Sequence, residues 1–212
     1  MSGPRKWKFG FVVALTVVRM PLILLFVLVC VLADKPLSPG QFSVAFAAMI
    51  LSAATDMLDG WFARKFDVVT RFGAYFDPLI DKVFYVATLP TLVYLAALAG
   101  LVLHAGMLVA LTILFLLRDQ WVSFLRSIGA IHGEKGGANW SGKLRTMVAF
   151  PVICGIYYHL QAPTDWWLQV PDWLAYVAEA VMILVSLISL WVYTGRYWPS
   201  LRKEISGARK PE

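Results

Sequence analysis

The chain has 212 residues, of which 59% are hydrophobic and 15% charged, with a mean hydropathy of +0.69. Soluble domains carry roughly 25% charged residues, so the composition excludes an ordinary soluble enzyme and points to an integral membrane protein with one domain over residues 1–212. The net charge of +6 is not a nucleic-acid footprint, because the basic residues gather beside apolar spans rather than in a patch of their own.

The expected fold is all-α, a bundle of six transmembrane helices behind a short N-terminal interfacial segment. Residues 1–8 form that lead, with Arg5, Lys6, Lys8 and Trp7 at headgroup depth. The first span is expected over 9–32. It is long enough to cross and lacks a small-residue cleavage site, so no signal peptide is expected. It carries Thr16 and Arg19, the latter an oddity at that depth. Asp34 to Gly40 reads as a turn. The second helix is expected over 41–66 and the third over about 74–101, with Pro78 either just inside an N-cap at Asp77 or at a kink. The fourth covers 106–128 with Arg118-Asp119 inside it. After a Gly-rich polar loop, the fifth runs over 143 to about 160. An aromatic belt with Trp166-Trp167 precedes the sixth span at 173–193, and a basic tail occupies 196–212.

The charged residues of the second and third helices define the candidate site. Asp56, Asp59, Gly60 and Ala63 fall at i, i+3, i+4 and i+7, one face of a helix, and Asp77 and Asp81 fall at i, i+4 on the next. Four bare carboxylates facing lipid would cost on the order of 10 kcal/mol, so they are expected to face inward and to be neutralised. Too few Lys and Arg lie at this spot to do so. Hard oxygen ligands without His or Cys suit Mg²⁺ or Mn²⁺. Four carboxylates suit two ions sharing ligands, the arrangement used in phosphoryl transfer. Gly60 and Ala63 leave room on the same face, and Arg64 is positioned to hold a phosphate.

The run Asp56-x2-Asp59-Gly60-x2-Ala63-Arg64-x8-Gly73-x3-Asp77-x3-Asp81 matches the signature of the CDP-alcohol phosphotransferases at every specified position, and the chain resembles that family. The resemblance implies transfer of a phosphatidyl-type group or a phosphoalcohol from a CDP-linked donor to a hydroxyl, with release of CMP. It implies Asp81 as the base, also near the second metal, and Asp56, Asp59 and Asp77 as metal ligands. Asp59, Gly60, Ala63, Arg64 and Gly73 then line the CDP pocket, and a homodimer is expected.

Acceptor choice rests on other residues. Arg118-Asp119, Arg126, and Ser141-Gly142-Lys143-Leu144-Arg145-Thr146 are similar to the phosphatidylglycerolphosphate synthase branch, whose acceptor is glycerol 3-phosphate. Arg118, Arg126, Lys143 and Arg145 are then candidates for the acceptor phosphate, since arginines bind phosphate bidentately. The bland alternative makes Arg118 a packing ion pair and the others topology anchors. The chain departs from that branch in the first span: Thr16-x-x-Arg19 is present, but Val12-Val13 stand where Pro-Asn is usual. The expected partners are therefore CDP-diacylglycerol, a small phosphorylated alcohol and the bilayer, with no nucleic acid. Other acceptors of the same chemistry are inositol phosphate, serine, phosphatidylglycerol, choline and ethanolamine. Prenyl-diphosphate transfer would want two separated acidic motifs, and a divalent-cation transporter would want polar residues continuing across the bilayer; neither pattern is present.

Basic residues crowd one side: Arg5, Lys6, Lys8, Arg64, Lys65, Arg71, Arg126, Lys135, Lys143, Arg145 and the tail. Only Lys35 falls on the other. Both termini and the acidic cluster are thus expected at the cytoplasmic face of a bacterial-type inner membrane. His104, His132 and His159 read as solvated or hydrogen-bonded residues, Glu179 as interfacial or paired with an arginine, and Cys30 and Cys154 as small apolar-helix residues without a disulfide.

Overall fold

The computed structural model describes residues 3–66, 71–134, 140–164, 166 and 168–207. Those residues form six helices and no strand: α1 (Gly3–Leu32), α2 (Pro39–Lys65), α3 (Arg71–Leu98), α4 (Val102–Ile131), α5 (Trp140–Gln161) and α6 (Asp172–Ile205). The all-α expectation holds, and most helices run longer than their apolar cores. α1 absorbs the described part of the basic lead. α6 continues 12 residues beyond its expected end at Tyr193, to Ile205, and takes in Arg196, Arg202 and Lys203. At 34 residues α6 spans about 51 Å, against a hydrocarbon core of about 30 Å. α3 begins at Arg71, six residues before Asp77, which removes the N-cap reading of that aspartate.

Local sequence explains the boundaries. Before α2, the Ser38 hydroxyl accepts from the Gln41 amide at 3.3 Å, while the Gln41 side chain accepts from the Ser38 amide at 2.9 Å. This reciprocal capping box, with Pro39 at the first helical position, starts the helix where the sequence read only a turn. α3 stops at Gly100, whose φ of +73° suits glycine. The Leu101 amide returns to the Ala96 carbonyl at 3.0 Å and the Gly100 amide to Ala97 at 3.1 Å, closing the helix end.

Among the described residues, α1, α4 and α6 are long and apolar enough to cross a membrane, and α2 and α3 add shorter apolar stretches at Pro39–Thr55 and Lys82–Leu98. The outward faces carry exposed Leu117, Trp191 and Val102, the surface expected of a protein solvated by lipid. The chain is an integral membrane protein.

α1 packs on α2 and α4 on α6, with α3 and α5 between these pairs. The main core gathers Phe26, Phe42, Met49, Leu92, Leu111 and Tyr157. Phe42 stacks on Tyr157 at 5.5 Å and meets Trp166 edge-on at 5.0 Å, locking the ends of α1, α2 and α5 away from the acidic motif. A second cluster of Val122, Leu125, Ile128, Tyr193, Tyr197 and Leu201 joins the far ends of α4 and α6. Cys30 and Cys154 are buried free thiols.

Candidate functional site

All four motif aspartates fall on regular helix, Asp56 and Asp59 on α2, Asp77 and Asp81 on α3, so the helical spacing assumed for them holds. The side chains of Asp56, Gly60, Ala63, Arg64, Gly73, Asp77, Asp81 and Lys143 lie outside the described residues. Asp59 is described, and two of its partners come from α1. The Thr16 hydroxyl donates to Asp59 Oδ2 at 2.9 Å, and Arg19 Nη2 donates to the same oxygen at 3.0 Å. Thr16 and Arg19 are one turn apart on one face of α1. Both ions are almost withdrawn from solvent, at 2% and 6% exposure for the two side chains. The oddity of an arginine in the first span is thereby explained: it is the counter-ion of a motif carboxylate on the neighbouring helix.

A second charged group sits among α4, α5 and α6. Asp119 Oδ1 accepts from Arg118 Nη1 at 2.9 Å and from Arg145 Nη1 at 2.8 Å. The remaining donors of Arg118, Nε and Nη2, both reach the Ser189 hydroxyl, at 3.2 and 2.7 Å. Arg126 donates through Nη2 to the Tyr193 hydroxyl at 3.0 Å, and is otherwise exposed. Arg145 differs from both. It is buried, its guanidinium lies 3.9 Å from the Phe115 ring centre, and its Nε and Nη2 find no hydrogen-bond partner among the described residues. A buried cation with two idle donors is costly unless an anion completes it. Gly142 allows the start of α5 to approach this group, because a Cβ there would meet the Tyr193 hydroxyl at 2.9 Å and Arg118 Nη2 at 3.4 Å.

The two charged groups are linked. Lys82, next to Asp81, donates to Ser123 on α4 at 3.4 Å, which sets α3 level with the stretch between Arg118 and Arg126. Tyr85, one turn past Asp81, lies 5.7 Å from the Arg145 guanidinium. A cavity of about 560 Å³ between α1, α2, α3 and α5 has Arg19 and Tyr85 in its wall, with Phe84, Met147 and Phe150 making much of the rest. One cavity therefore touches the counter-ion of Asp59 and the aromatic neighbour of Arg145.

Sequence reasoning missed Ser189 and Tyr193, which hold two of the candidate arginines. The signal available was a polar pair at i, i+4 in the middle of α6. The histidines expected to be solvated or hydrogen-bonded are all hydrogen-bonded. His132 meets Glu204 at 3.2 Å, and His159 donates to the Val170 carbonyl at 2.9 Å. Glu179 departs from its expectation. It is neither interfacial nor paired with an arginine; it is fully buried and bonded to His104 at 2.9 Å, whose ring stacks on Tyr176 at 3.9 Å. That pair is at the opposite end of α4 from Arg126.

Among the described residues no three His, Cys, Asp or Glu side chains are placed to hold a metal ion. That group holds only one of the four motif carboxylates. Asp59 has donor chemistry that fits such an ion: a buried hard oxygen, oriented by two hydrogen bonds, on the helix face shared with Asp56.

Carboxylate–guanidinium pairs thus lie inside a lipid-exposed helical bundle, one of them with its Arg19 in the wall of a largely apolar cavity. Residues 13–193 match the family model described as CDP-alcohol phosphatidyltransferase, and the chain belongs to that family. It is 31% identical over 154 residues, 72% of each chain, to a Bacillus subtilis protein named CDP-diacylglycerol–glycerol-3-phosphate 3-phosphatidyltransferase. Proteins of the same name from Haemophilus influenzae and Escherichia coli K12 are 27% and 26% identical; each alignment covers 87% of this chain, and 89% and 91% of the respective relative.

Proposed function

We propose that this chain transfers the phosphatidyl group of CDP-diacylglycerol to a hydroxyl of glycerol 3-phosphate, releasing CMP. The observation that carries this reading is the single cavity lined by Arg19, the partner of Asp59, and by Tyr85, which neighbours Asp81 in sequence and Arg145 in space. Its apolar wall suits the acyl chains of the donor, and Arg145, the candidate for the acceptor phosphate, lies beside Tyr85 rather than in that wall. The shared name of the relatives supports the choice of acceptor.

In the proposed reaction the acceptor hydroxyl oxygen attacks the lipid-side phosphorus of the pyrophosphate. The bond from that phosphorus to the bridging oxygen breaks, and CMP departs with the oxygen. The hydroxyl proton goes to Asp81, because an alcohol with a pKa far above 7 needs a base beside it. Arg145 offers its idle Nε and Nη2 to the acceptor phosphate as a bidentate pair. Arg126 and Lys143 add positive charge nearby. Arg118 spends its donors on Asp119 and Ser189, so its part is to fix Asp119 and through it Arg145. Gly60, Ala63, Arg64 and Gly73 line the nucleotide side, and Phe84, Met147 and Phe150 offer an acyl chain an apolar wall. Asp56, Asp59, Asp77 and Asp81 would hold two divalent ions, Mg²⁺ or Mn²⁺, which when bound supply charge stabilisation at the pyrophosphate oxygens and the departing CMP.

The reading includes six membrane crossings in a single domain, with both termini and the acidic motif on the cytoplasmic side of the inner membrane, since basic residues cluster there. It also includes a homodimer. Purified protein in mixed micelles, given labelled CDP-diacylglycerol and a panel of alcohols, tests the chemistry. CMP release and a labelled acidic lipid with glycerol 3-phosphate alone are expected. Release only with serine or inositol phosphate would reject the acceptor, and no release with any alcohol would reject the transferase reading.

A further inference from the structure

α6 carries no part of the family motif, yet it supplies two side chains to the arginine group. Ser189 and Tyr193, one turn apart on the same face, are both buried. The Tyr193 ring centre lies 4.9 Å from the Arg118 guanidinium and 5.4 Å from that of Arg126. Its hydroxyl accepts from Arg126 Nη2 at 3.0 Å. Two like charges are thus gathered around one aromatic ring, whose electron-rich face attracts cations, and the only carboxylate bonded to either among the described residues is Asp119.

The surroundings show that this is a built arrangement. Arg118 is already tied by Ser189 and Asp119, and cannot turn toward a ligand without breaking those bonds. Arg126 is different: it sits at the exposed end of the group, and among the described residues Tyr193 is its one hydrogen-bond partner. A free arginine side chain loses about 2 kcal/mol of rotamer freedom when a ligand fixes it; one held at Nη2 keeps its other donors aimed and has less to lose. Gly142 keeps the start of α5 within contact of the same hydroxyl.

We propose that Tyr193 is a positioning residue for acceptor recognition: its hydroxyl and ring hold Arg126 beside the anion site completed by Arg145. The inference rests on the acceptor-phosphate reading given above, and deepens it by adding an α6 residue that touches neither donor nor reacting atoms.

Steady-state kinetics on the full chain in micelles tests it, with glycerol 3-phosphate and CDP-diacylglycerol varied separately. Tyr193→Phe keeps the ring and deletes the hydroxyl. It is expected to raise KM for glycerol 3-phosphate about 3- to 10-fold, the range of one hydrogen bond, with kcat and the KM for CDP-diacylglycerol within two-fold of the parent in protein that remains folded at the assay temperature. In an Arg126→Gln background, Tyr193→Phe should add nothing further. A Tyr193→Phe enzyme with unaltered acceptor KM, an equal change in both KM values, or an effect that multiplies with Arg126→Gln would each overturn the proposal. Failure of the underlying reading looks different: Arg126→Gln and Arg145→Gln would then leave the acceptor KM where it was.

Discussion

The contact between Arg19 and Asp59 makes a quantitative demand on stability. Charges 3.0 Å apart attract by about 5 kcal/mol at an effective dielectric of about 20. Much of that offsets the cost of desolvating two ions that are both nearly inaccessible, and hydrogen bonds to charged groups net about 1.5–3 kcal/mol. A coupling of about 2 kcal/mol between the two side chains is therefore expected. Removing only the cation, as in Arg19→Met, leaves a buried carboxylate without this counter-ion and should cost about 3–5 kcal/mol. The measurement is a double-mutant cycle on unfolding free energy, with parent, Arg19→Met, Asp59→Asn and the double variant titrated with SDS in mixed micelles. Chelator is kept throughout so that bound metal does not stabilise any form. Asp59→Asn should rescue much of the loss caused by Arg19→Met. Additivity of the two single effects to within about 0.5 kcal/mol would show that the pair is not coupled and that Arg19 is buried for another reason.

Excess chelator should stop CMP release, and Mg²⁺ or Mn²⁺ should restore it; turnover that persists in chelator would remove divalent ions from the mechanism. Asp81→Asn should lower kcat by at least 10³-fold, with helical content and micelle elution unchanged, because the amide cannot take the hydroxyl proton; parent-like turnover would exclude Asp81 as the base. His104→Ala should destabilise the bundle by about 3 kcal/mol, since Glu179 loses its partner inside the protein, while kcat below the unfolding transition stays at the parent value. Unaltered stability, or lost activity in folded protein, would contradict a purely structural role for that pair.

The family signature was legible because it is local: eight positions on two consecutive helices at fixed spacing, which needs only the helical period to be interpreted. Membrane class was legible from composition. What the sequence hid is what one helix does for another. Thr16 and Arg19 were visible as polar residues in an apolar span, but their partner is 40 or more positions away on α2. Ser189 and Tyr193 were hidden more completely, since a serine and a tyrosine in an apolar helix are unremarkable until Arg118 and Arg126 are seen against them. The role of Glu179 was illegible for the same reason. Nothing near it in sequence signals His104, 75 positions away, as its partner. Helix ends were underestimated because apolar composition marks the bilayer, whereas capping and α4–α6 packing mark the helix.

These hidden contacts share a logic. α2 and α3 carry the motif carboxylates, and helices outside the motif brace the charges: α1 with Thr16 and Arg19 on one flank, α6 with Ser189 and Tyr193 on another. Each brace places two polar side chains one turn apart, so that a single rigid helix fixes both. A charged residue inside a membrane protein needs a partner in any case. Here the partners also leave donors over, most plainly at Arg145 Nε and Nη2. Buried donors left idle carry a cost, and in the proposed reading an incoming acceptor phosphate relieves it at Arg145, a relief that becomes binding energy for that ligand.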